Sequence, residues 1–207
     1  MTIDSIAGPL LALILGYLLG SIPFGILLTR FTGAGDLRKI GSGNIGATNV
    51  LRTGRKGLAA ATLLLDLLKG TAAVLIAEHF IPGTAQLAGI AALLGHMFPI
   101  WLRFAGGKGV ATFMGLVLGF AILGDLHWAA PAAYAILWIG LLAVTRYSSL
   151  SGISAGLSTP IVAAILGRYD LALMFLGLAL LVLWKHRDNV RRLIGGTEPR
   201  VGAARNG

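Results

Sequence analysis

The chain has 207 residues, of which 56% are hydrophobic and only 12% are charged, with a mean hydropathy of +0.83. Soluble domains carry about 25% charged residues, so this composition excludes an ordinary soluble protein and predicts an all-α polytopic membrane protein, one domain over residues 1–207. The absence of cysteine excludes disulfides and a cysteine nucleophile. The net charge of +9 indicates a cytoplasmic membrane face rather than nucleic-acid binding.

Seven apolar segments are predicted to cross the membrane, each needing about 17–25 residues. The first follows Asp4 rather than a basic start and is long enough to span, so no cleaved signal peptide is expected. Pro23 is expected to kink this segment near its inner end. In chain order the seven segments cover residues 7–29, 57–79, 84–104, 108–124, 127–145, 152–167 and 169–185.

The distribution of basic residues predicts the orientation. With the amino terminus outside, all 17 lysine and arginine residues except Arg168 and Lys69 fall on the inner side, as the positive-inside rule requires. Seven crossings then place the carboxyl terminus in the cytoplasm. Close helix contacts are predicted where glycines lie four apart, at Gly16/Gly20, Gly115/Gly119 and Gly152/Gly156.

The segment Gly41–Arg52 differs most from its apolar surroundings. Its glycines allow tight turns and close approach to a ligand, its polar side chains supply donors, and Arg52 supplies a fork suited to carboxylate or phosphate. A flexible polar loop is the alternative. The segment 41–46 also matches a dinucleotide-binding fingerprint, but no alternation of strands and helices surrounds it, so that interpretation is rejected.

A second polar segment, 103–112, contains the sequence Gly-Gly-Lys-Gly directly before a predicted helix. Backbone N–H groups and the helix dipole are expected to hold a phosphate there, with Lys108 adding charge. It is not a Walker A loop, because Leu102 and Gly109 occupy the places of its first glycine and its Ser or Thr.

Two further polar segments, 146–151 and 185–192, fall on the same inner side. The four segments together are expected to form one anion-binding site, with cations at Arg52, Lys108, Arg146, His186 and Arg187. Attraction to lipid headgroups would explain the charge, but not the glycine turns and the polar side chains among the cations.

Three ionisable residues are predicted inside the spans and away from their ends. Asp66 and Lys69 lie three apart and share a helix face, either as a structural ion pair or with a direct role in the site. His96 either forms a hydrogen bond across helices or supports the loop that follows it.

The sequences of 42–52 and 106–112 and the Lys-His-Arg-x-Asn pattern of 185–189 together resemble the bacterial acyl-phosphate:glycerol-3-phosphate acyltransferases, the PlsY family. The resemblance extends from Gly20 to Glu198. It implies a seven-helix inner-membrane enzyme, without cofactor or metal, whose active site faces the cytoplasm. The implied reaction transfers a fatty acyl group from acyl phosphate to the 1-hydroxyl of sn-glycerol 3-phosphate. Its products are lysophosphatidic acid and phosphate, and it is the first acylation of bacterial phospholipid synthesis.

The implied mechanism relies on positioning and charge neutralisation, because the carbonyl of acyl phosphate is already activated and needs no covalent acyl-enzyme. His186 is either a general base or a phosphate ligand, and we favour proton transfer to the departing phosphate. A transporter of phosphorylated solutes and a lipid-binding scaffold are the alternative functions. The residues assigned as catalytic are Ser42, Arg52, Lys108 and His186. Those assigned to substrate binding are Asn44, Thr48, Asn49, Gly106, Gly107, Gly109, Thr112, Arg146, Ser149 and Asn189.

Overall fold

The computed structural model describes residues 3–202, and within this range the chain consists of helices joined by turns, without a strand. The predicted all-α class is therefore confirmed for the described part. Short 3-10 turns cover Leu37–Lys39 and Ile100–Leu102. The α-helices are α1 (Ile3–Gly20), α2 (Phe24–Phe31), α3 (Ala47–Leu51), α4 (Lys56–Phe80), α5 (Ala85–Met97), α6 (Val110–Ile122), α7 (Ala129–Thr145), α8 (Ser148–Ile165), α9 (Tyr169–Lys185) and α10 (Arg187–Ile194).

Each predicted span contains an observed helix, but not every helix has the length of a full crossing. Four segments are long and apolar enough, namely Ile6–Phe31, Lys56–Phe80, Ala85–Leu102 and Ser148–Ile165. The pair α9 and α10, bent by 63°, is a fifth if it counts as one span. Helix α6 has 13 residues, and such a helix rises about 20 Å against a hydrocarbon core of about 30 Å. Seven crossings and the sides of the two termini stay predictions.

The boundaries of two spans differ from those predicted. Helix α5 ends at Met97 rather than continuing to 104, because Pro99 disfavours the helical conformation of Phe98 before it. Helix α8 begins at Ser148, four residues before the predicted start at 152. Its serines are accommodated in the first turns, where Ser151 Oγ donates to the carbonyl oxygen of Tyr147 at 2.9 Å.

The kink predicted at Pro23 is a complete break between α1 and α2. Proline has no N–H and cannot continue the helical hydrogen bonds. Carbonyl oxygens at the break are satisfied from elsewhere, since Trp101 Nε1 donates to Ser21 at 2.7 Å and Lys69 Nζ donates to Ile22 at 2.8 Å. The break is thus held by side chains from other parts of the chain.

The chain divides into two compact units, Met1–Asp125 and Leu126–Gly207. In the first unit α1 packs against α5, and α4 packs against α5 and α6. A Cβ atom on Gly16, Gly20 or Gly115 would meet a backbone carbonyl of the facing helix, so the predicted close contacts are confirmed at these glycines.

In the second unit α8 packs against both α7 and α9. Helix α7 ends at Thr145, and the next residue, Arg146, adopts the left-handed conformation with φ of 62°. The close contact predicted at Gly156 is wrong, since no atom of the described residues lies within 4 Å of a Cβ placed there.

Candidate active site

Asn49 organises the first polar loop. Its buried side chain donates through Nδ2 to the carbonyl oxygens of Leu37 at 3.0 Å and Ile40 at 2.9 Å. Its Oδ1 accepts from the N–H of Ser42 and from a guanidinium nitrogen of Arg52, both at 3.3 Å. Two donors and two acceptor sites are all that an amide side chain offers. Asn49, assigned to substrate binding from the sequence, therefore holds the loop in shape.

Glycine is required where this loop turns most tightly. Gly41 has φ of +55°, and a Cβ atom there would lie 2.6 Å from both Asn49 Oδ1 and a guanidinium nitrogen of Arg52. Asn44 Oδ1 accepts from the N–H of Gly46 at 2.9 Å and shapes the turn before α3. The loop leaves exposed the polar side chains of Ser42, Thr48 and Arg52.

The loop Gly106–Gly109 folds back onto the end of α5. The N–H of Gly106 donates to the carbonyl oxygen of Met97 at 3.2 Å, and that of Gly107 donates to the carbonyl oxygen of His96 at 3.0 Å. Both N–H groups are therefore used in hydrogen bonds inside the protein.

The part of this loop that fits an anion is its carboxyl-terminal end. Gly109 has φ of +85° and turns the chain into α6, whose first N–H groups have no acceptor within the helix. Lys108 is partly exposed beside this turn. Thr112 is fully buried, and its Oγ1 has no hydrogen-bond partner among the described residues.

Asp66, Lys69 and His96 form a buried group in the first unit, and each is only 4% exposed. Lys69 Nζ lies 2.7 Å from Asp66 Oδ1, and His96 Nδ1 lies 3.7 Å from the same oxygen. The predicted shared helix face and ion pair are confirmed.

Glu198 organises the polar residues of the second unit. Its Oε1 accepts from Ser149 Oγ and from Asn189 Nδ2, both at 2.6 Å, and its Oε2 accepts from Arg192 Nε at 2.7 Å. Burial opposes ionisation, but these hydrogen bonds outweigh it, so the pKa of Glu198 lies below its ordinary value. An ionised carboxylate thus orients Ser149 and Asn189.

The sequence interpretation missed this role of Glu198. The available signal was weak: Glu198 and Asp188 are the only two acids in an arginine-rich tail that starts at Lys185.

His186 is 3% exposed and lies between α9 and α10. Its Nδ1 is 2.8 Å from the carbonyl oxygen of Val182. A carbonyl oxygen only accepts, so Nδ1 carries a proton. This hydrogen bond gives the ring a defined orientation.

Arg146 connects the end of α7 with the carboxyl-terminal tail. Its Nε donates to the carbonyl oxygen of Val201 at 2.9 Å, and the N–H of Val201 donates back to the Arg146 carbonyl at 2.8 Å. Arg187, in contrast, is exposed and stacks at 4.8 Å from the ring of Trp184. Arg146 thus has a structural role in the tail, and Arg187 does not join the cluster around Glu198.

Comparison with known proteins identifies close relatives over nearly the whole chain. A family model described as glycerol-3-phosphate acyltransferase matches residues 10–196. The chain is 57% identical over 196 residues to the glycerol-3-phosphate acyltransferase of Mesorhizobium japonicum, covering 95% of this chain and 97% of the relative. It is 58% identical over 192 residues to that of Rhodopseudomonas palustris, covering 92% and 95%.

Two crystal structures of PlsY (YgiH), an integral membrane glycerol 3-phosphate acyltransferase, are similar to the chain. The glycerol 3-phosphate form has a TM-score of 0.85 at 37% identity and covers 94% of this chain and 96% of the other. The lysophosphatidic acid form has a TM-score of 0.82 at 36% identity and covers 93% and 94%.

Proposed function

The chain belongs to the glycerol-3-phosphate acyltransferase family, and from this premise we propose that acyl phosphate is its donor and the 1-hydroxyl of sn-glycerol 3-phosphate its acceptor. The products are then lysophosphatidic acid and inorganic phosphate. The observation that carries the proposal is the family match over residues 10–196. The protein is an all-helical integral membrane acyltransferase, and the donor and mechanism are the proposed part.

The chemistry of the donor agrees with the residues present. Acyl phosphate is a mixed anhydride, so its carbonyl is reactive without a covalent acyl-enzyme, and the chain has no cysteine. In a Ser-His-Asp triad Nδ1 of the histidine donates to a carboxylate. In His186 this nitrogen faces the carbonyl oxygen of Val182 instead, which favours direct transfer between the two bound substrates.

Cations and polar donors are proposed to hold the two phosphate groups. Lys108 and the first turn of α6 provide one anion-binding element, with charge and helix N–H groups together. The exposed side chains of Ser42, Thr48 and Arg52 provide a second set of donors. Asn44, Asn49, Gly106, Gly107, Gly109 and Thr112 shape these loops.

The second unit is proposed to contribute His186, Ser149, Asn189 and Arg146 to binding glycerol 3-phosphate. Glu198 orients Ser149 and Asn189 by direct hydrogen bonds. Since Arg146 Nε is bonded to Val201, its contribution to an anion comes from its remaining guanidinium N–H groups.

In the proposed reaction the glycerol 1-oxygen bonds to the acyl carbon, and the bond from that carbon to the phosphate oxygen breaks. The departing phosphate takes the hydroxyl proton, and His186 binds phosphate. A general base contributes about 10²–10⁴-fold. We therefore expect His186→Gln to keep turnover within about tenfold of the native value at saturating substrate. A loss of about a hundredfold or more would instead make His186 the base.

The donor is tested with purified protein in detergent, where no second compartment exists. We expect lysophosphatidic acid and phosphate from acyl phosphate plus glycerol 3-phosphate, and no product from acyl-CoA. Equal rates with acyl-CoA would contradict the proposed donor. Uptake of glycerol 3-phosphate into proteoliposomes without any acylated product would favour the transporter alternative.

The proposed membrane arrangement is seven crossings of the bacterial inner membrane in one domain, with the site at the cytoplasmic face. The cysteine-free chain allows a direct test, since introduced cysteines have no background. An impermeant maleimide should label Asp170→Cys on intact spheroplasts, and should label Lys39→Cys only after lysis. Both positions are exposed. The reverse pattern would contradict the orientation.

A further inference from the structure

We propose that the buried group Lys69–Asp66–His96 positions the Gly106–Gly109 loop for binding the phosphate of the substrate. The inference rests on the proposed function, in which this loop and Lys108 hold a phosphate. None of the three buried residues is proposed to touch the substrate. Their effect is on where the loop lies.

The group begins at the break between α1 and α2. Lys69 Nζ donates to the carbonyl oxygen of Ile22 at 2.8 Å and lies 5.7 Å from the ring centroid of Phe24. The same nitrogen contacts Asp66 Oδ1 at 2.7 Å. Lys69 thus binds both a carbonyl at the break and a carboxylate on α4.

The group ends beneath the glycine-rich loop. His96 Nδ1 lies 3.7 Å from Asp66 Oδ1, and the other end of the ring lies against Gly107. A Cβ atom on Gly107 would overlap His96 Nε2, and one on Gly106 would overlap the His96 carbonyl oxygen. The N–H of Gly107 donates to that carbonyl at 3.0 Å. Both the ring and the main chain of His96 therefore determine how closely the loop approaches the end of α5.

Lys69 also connects the group to the first polar loop. Ile22 lies two residues before the start of α2, and a Cβ atom on Gly25 of that helix would overlap the carbonyl oxygen of Ile45. The loop 41–46 is therefore in close contact with α2, and Lys69 binds the carbonyl oxygen of Ile22 just before that helix. The buried group thus contacts the Gly106–Gly109 loop through His96, and through Lys69 it contacts the start of the helix that packs against the loop 41–46.

Energetics favour a positioning role over a contribution to stability. An apolar pair of similar size often stabilises a protein as well as a buried ion pair does, because the ion pair must be removed from water. Charges inside membrane helices are more costly still. We infer that the charges of Lys69 and Asp66 are present to define the geometry of the groups they contact, the carbonyl of Ile22 and the ring of His96.

Substitutions at His96 distinguish its effect on the position of the loop from its contribution to packing. His96→Leu fills the space but cannot interact with Asp66, and we expect it to raise KM for glycerol 3-phosphate about tenfold, with kcat within about threefold. His96→Asn restores a polar group near the place of Nδ1, the nitrogen that faces Asp66, and is expected to return KM to within about threefold of the native value. His79→Ala, at an exposed histidine near the end of α4, is the matched control.

Hydrogen exchange provides a readout that does not depend on activity. The amides of Gly106 and Gly107 should exchange about tenfold faster in His96→Leu than in the native protein or His96→Asn, at an unchanged melting temperature. Native KM and native exchange in His96→Leu would overturn the inference. If that variant does not fold, Asp66→Asn keeps the ring and is expected to show the same changes, and native values there overturn the inference equally.

A double-mutant cycle tests the contact itself. Gly107→Ala and His96→Ala should each raise KM about tenfold, while the double variant should stay within about threefold of His96→Ala, because the alanine then has space. A multiplied effect of about a hundredfold would show that the two positions act independently.

Lys108→Ala distinguishes this inference from the function on which it rests. If Lys108→Ala abolishes the reaction while the His96 and Asp66 variants behave as the native protein, the inference alone fails. If Lys108→Ala is itself without effect, the phosphate-binding loop of the proposed function fails.

Discussion

The polar residues of the two units are held in place by different means. In the first unit the loops are shaped mainly by main-chain groups, as when Asn49 binds two carbonyl oxygens and Gly106 and Gly107 pair with the end of α5. In the second unit three side chains converge on one carboxylate, Glu198. Main-chain pairing distributes the stabilisation over many contacts, whereas the carboxylate concentrates it in one residue.

The difference predicts where single substitutions act. In the first unit the largest loss of activity should come from a side chain that meets the substrate, because the loops retain other contacts when one contact is lost. In the second unit a residue remote from the reaction should be almost as sensitive. The predictions below test this contrast in order of expected effect.

Lys108→Ala should have the largest effect, at least about 10³-fold on kcat/KM, because a preorganised charge on a phosphate is worth as much as an oxyanion-hole donor or more. The melting temperature in detergent should not change, since Lys108 is partly exposed. Lys39→Ala, at an exposed lysine of the same unit, should retain native kinetics. Native kinetics in Lys108→Ala would contradict the expectation that the sensitive residue of the first unit is one that meets the substrate.

Glu198→Ala should follow, with a loss of about 10²-fold in activity together with a loss of stability of about 3 kcal/mol, because three donors lose one acceptor at once. Glu198→Gln keeps an acceptor oxygen and should be milder. Asp188→Ala, at an exposed acid of the same tail, is the control and should change neither value. An equally large effect of Asp188→Ala would mean that activity and stability depend on the negative charge of the tail in general, and not on the hydrogen bonds to Glu198.

Asn49→Ala should reduce activity by about tenfold to a hundredfold, since two buried carbonyls lose their donors while the glycine turns remain. Hydrogen exchange in 37–46 should rise in the variant. Asn49→Asp should be no better than Ala, because it places a carboxylate against the carbonyl oxygens of Leu37 and Ile40. Loss of activity with unchanged exchange would instead give Asn49 a direct contact with substrate.

The sequence predicts the features of this structure that depend on local signals. The apolar helices and the break at Pro23 are local signals, and each predicted span contains a helix. Boundaries failed where local chemistry was ambiguous: serines at the start of α8 resemble a loop, although Ser151 bonds within the helix.

The site was predictable as a set of residues but not as a set of contacts. A glycine pattern does not say which N–H groups fold back on α5, because that depends on the position of Met97 and His96. Glu198 lies 49 residues from Ser149 in the chain, so no local pattern joins them. Contacts of this kind depend on how helices pack rather than on the sequence beside each residue.

The smallest expected effect concerns pH and is specific to the second unit. Because the pKa of Glu198 is lowered on folding, its contribution to stability is fully present above its ordinary value of 4.5 and is lost only as pH falls through the lower folded value. The amide of Val201, which donates to Arg146, reports whether the tail stays bound. After correction for intrinsic rates, its protection from exchange should be constant between about pH 8 and 5 and should fall only in stronger acid. In Glu198→Gln the protection should be lower throughout and independent of pH. A loss of protection already between pH 7 and 6 would mean that the carboxylate of Glu198 is not what holds the second unit's polar residues together.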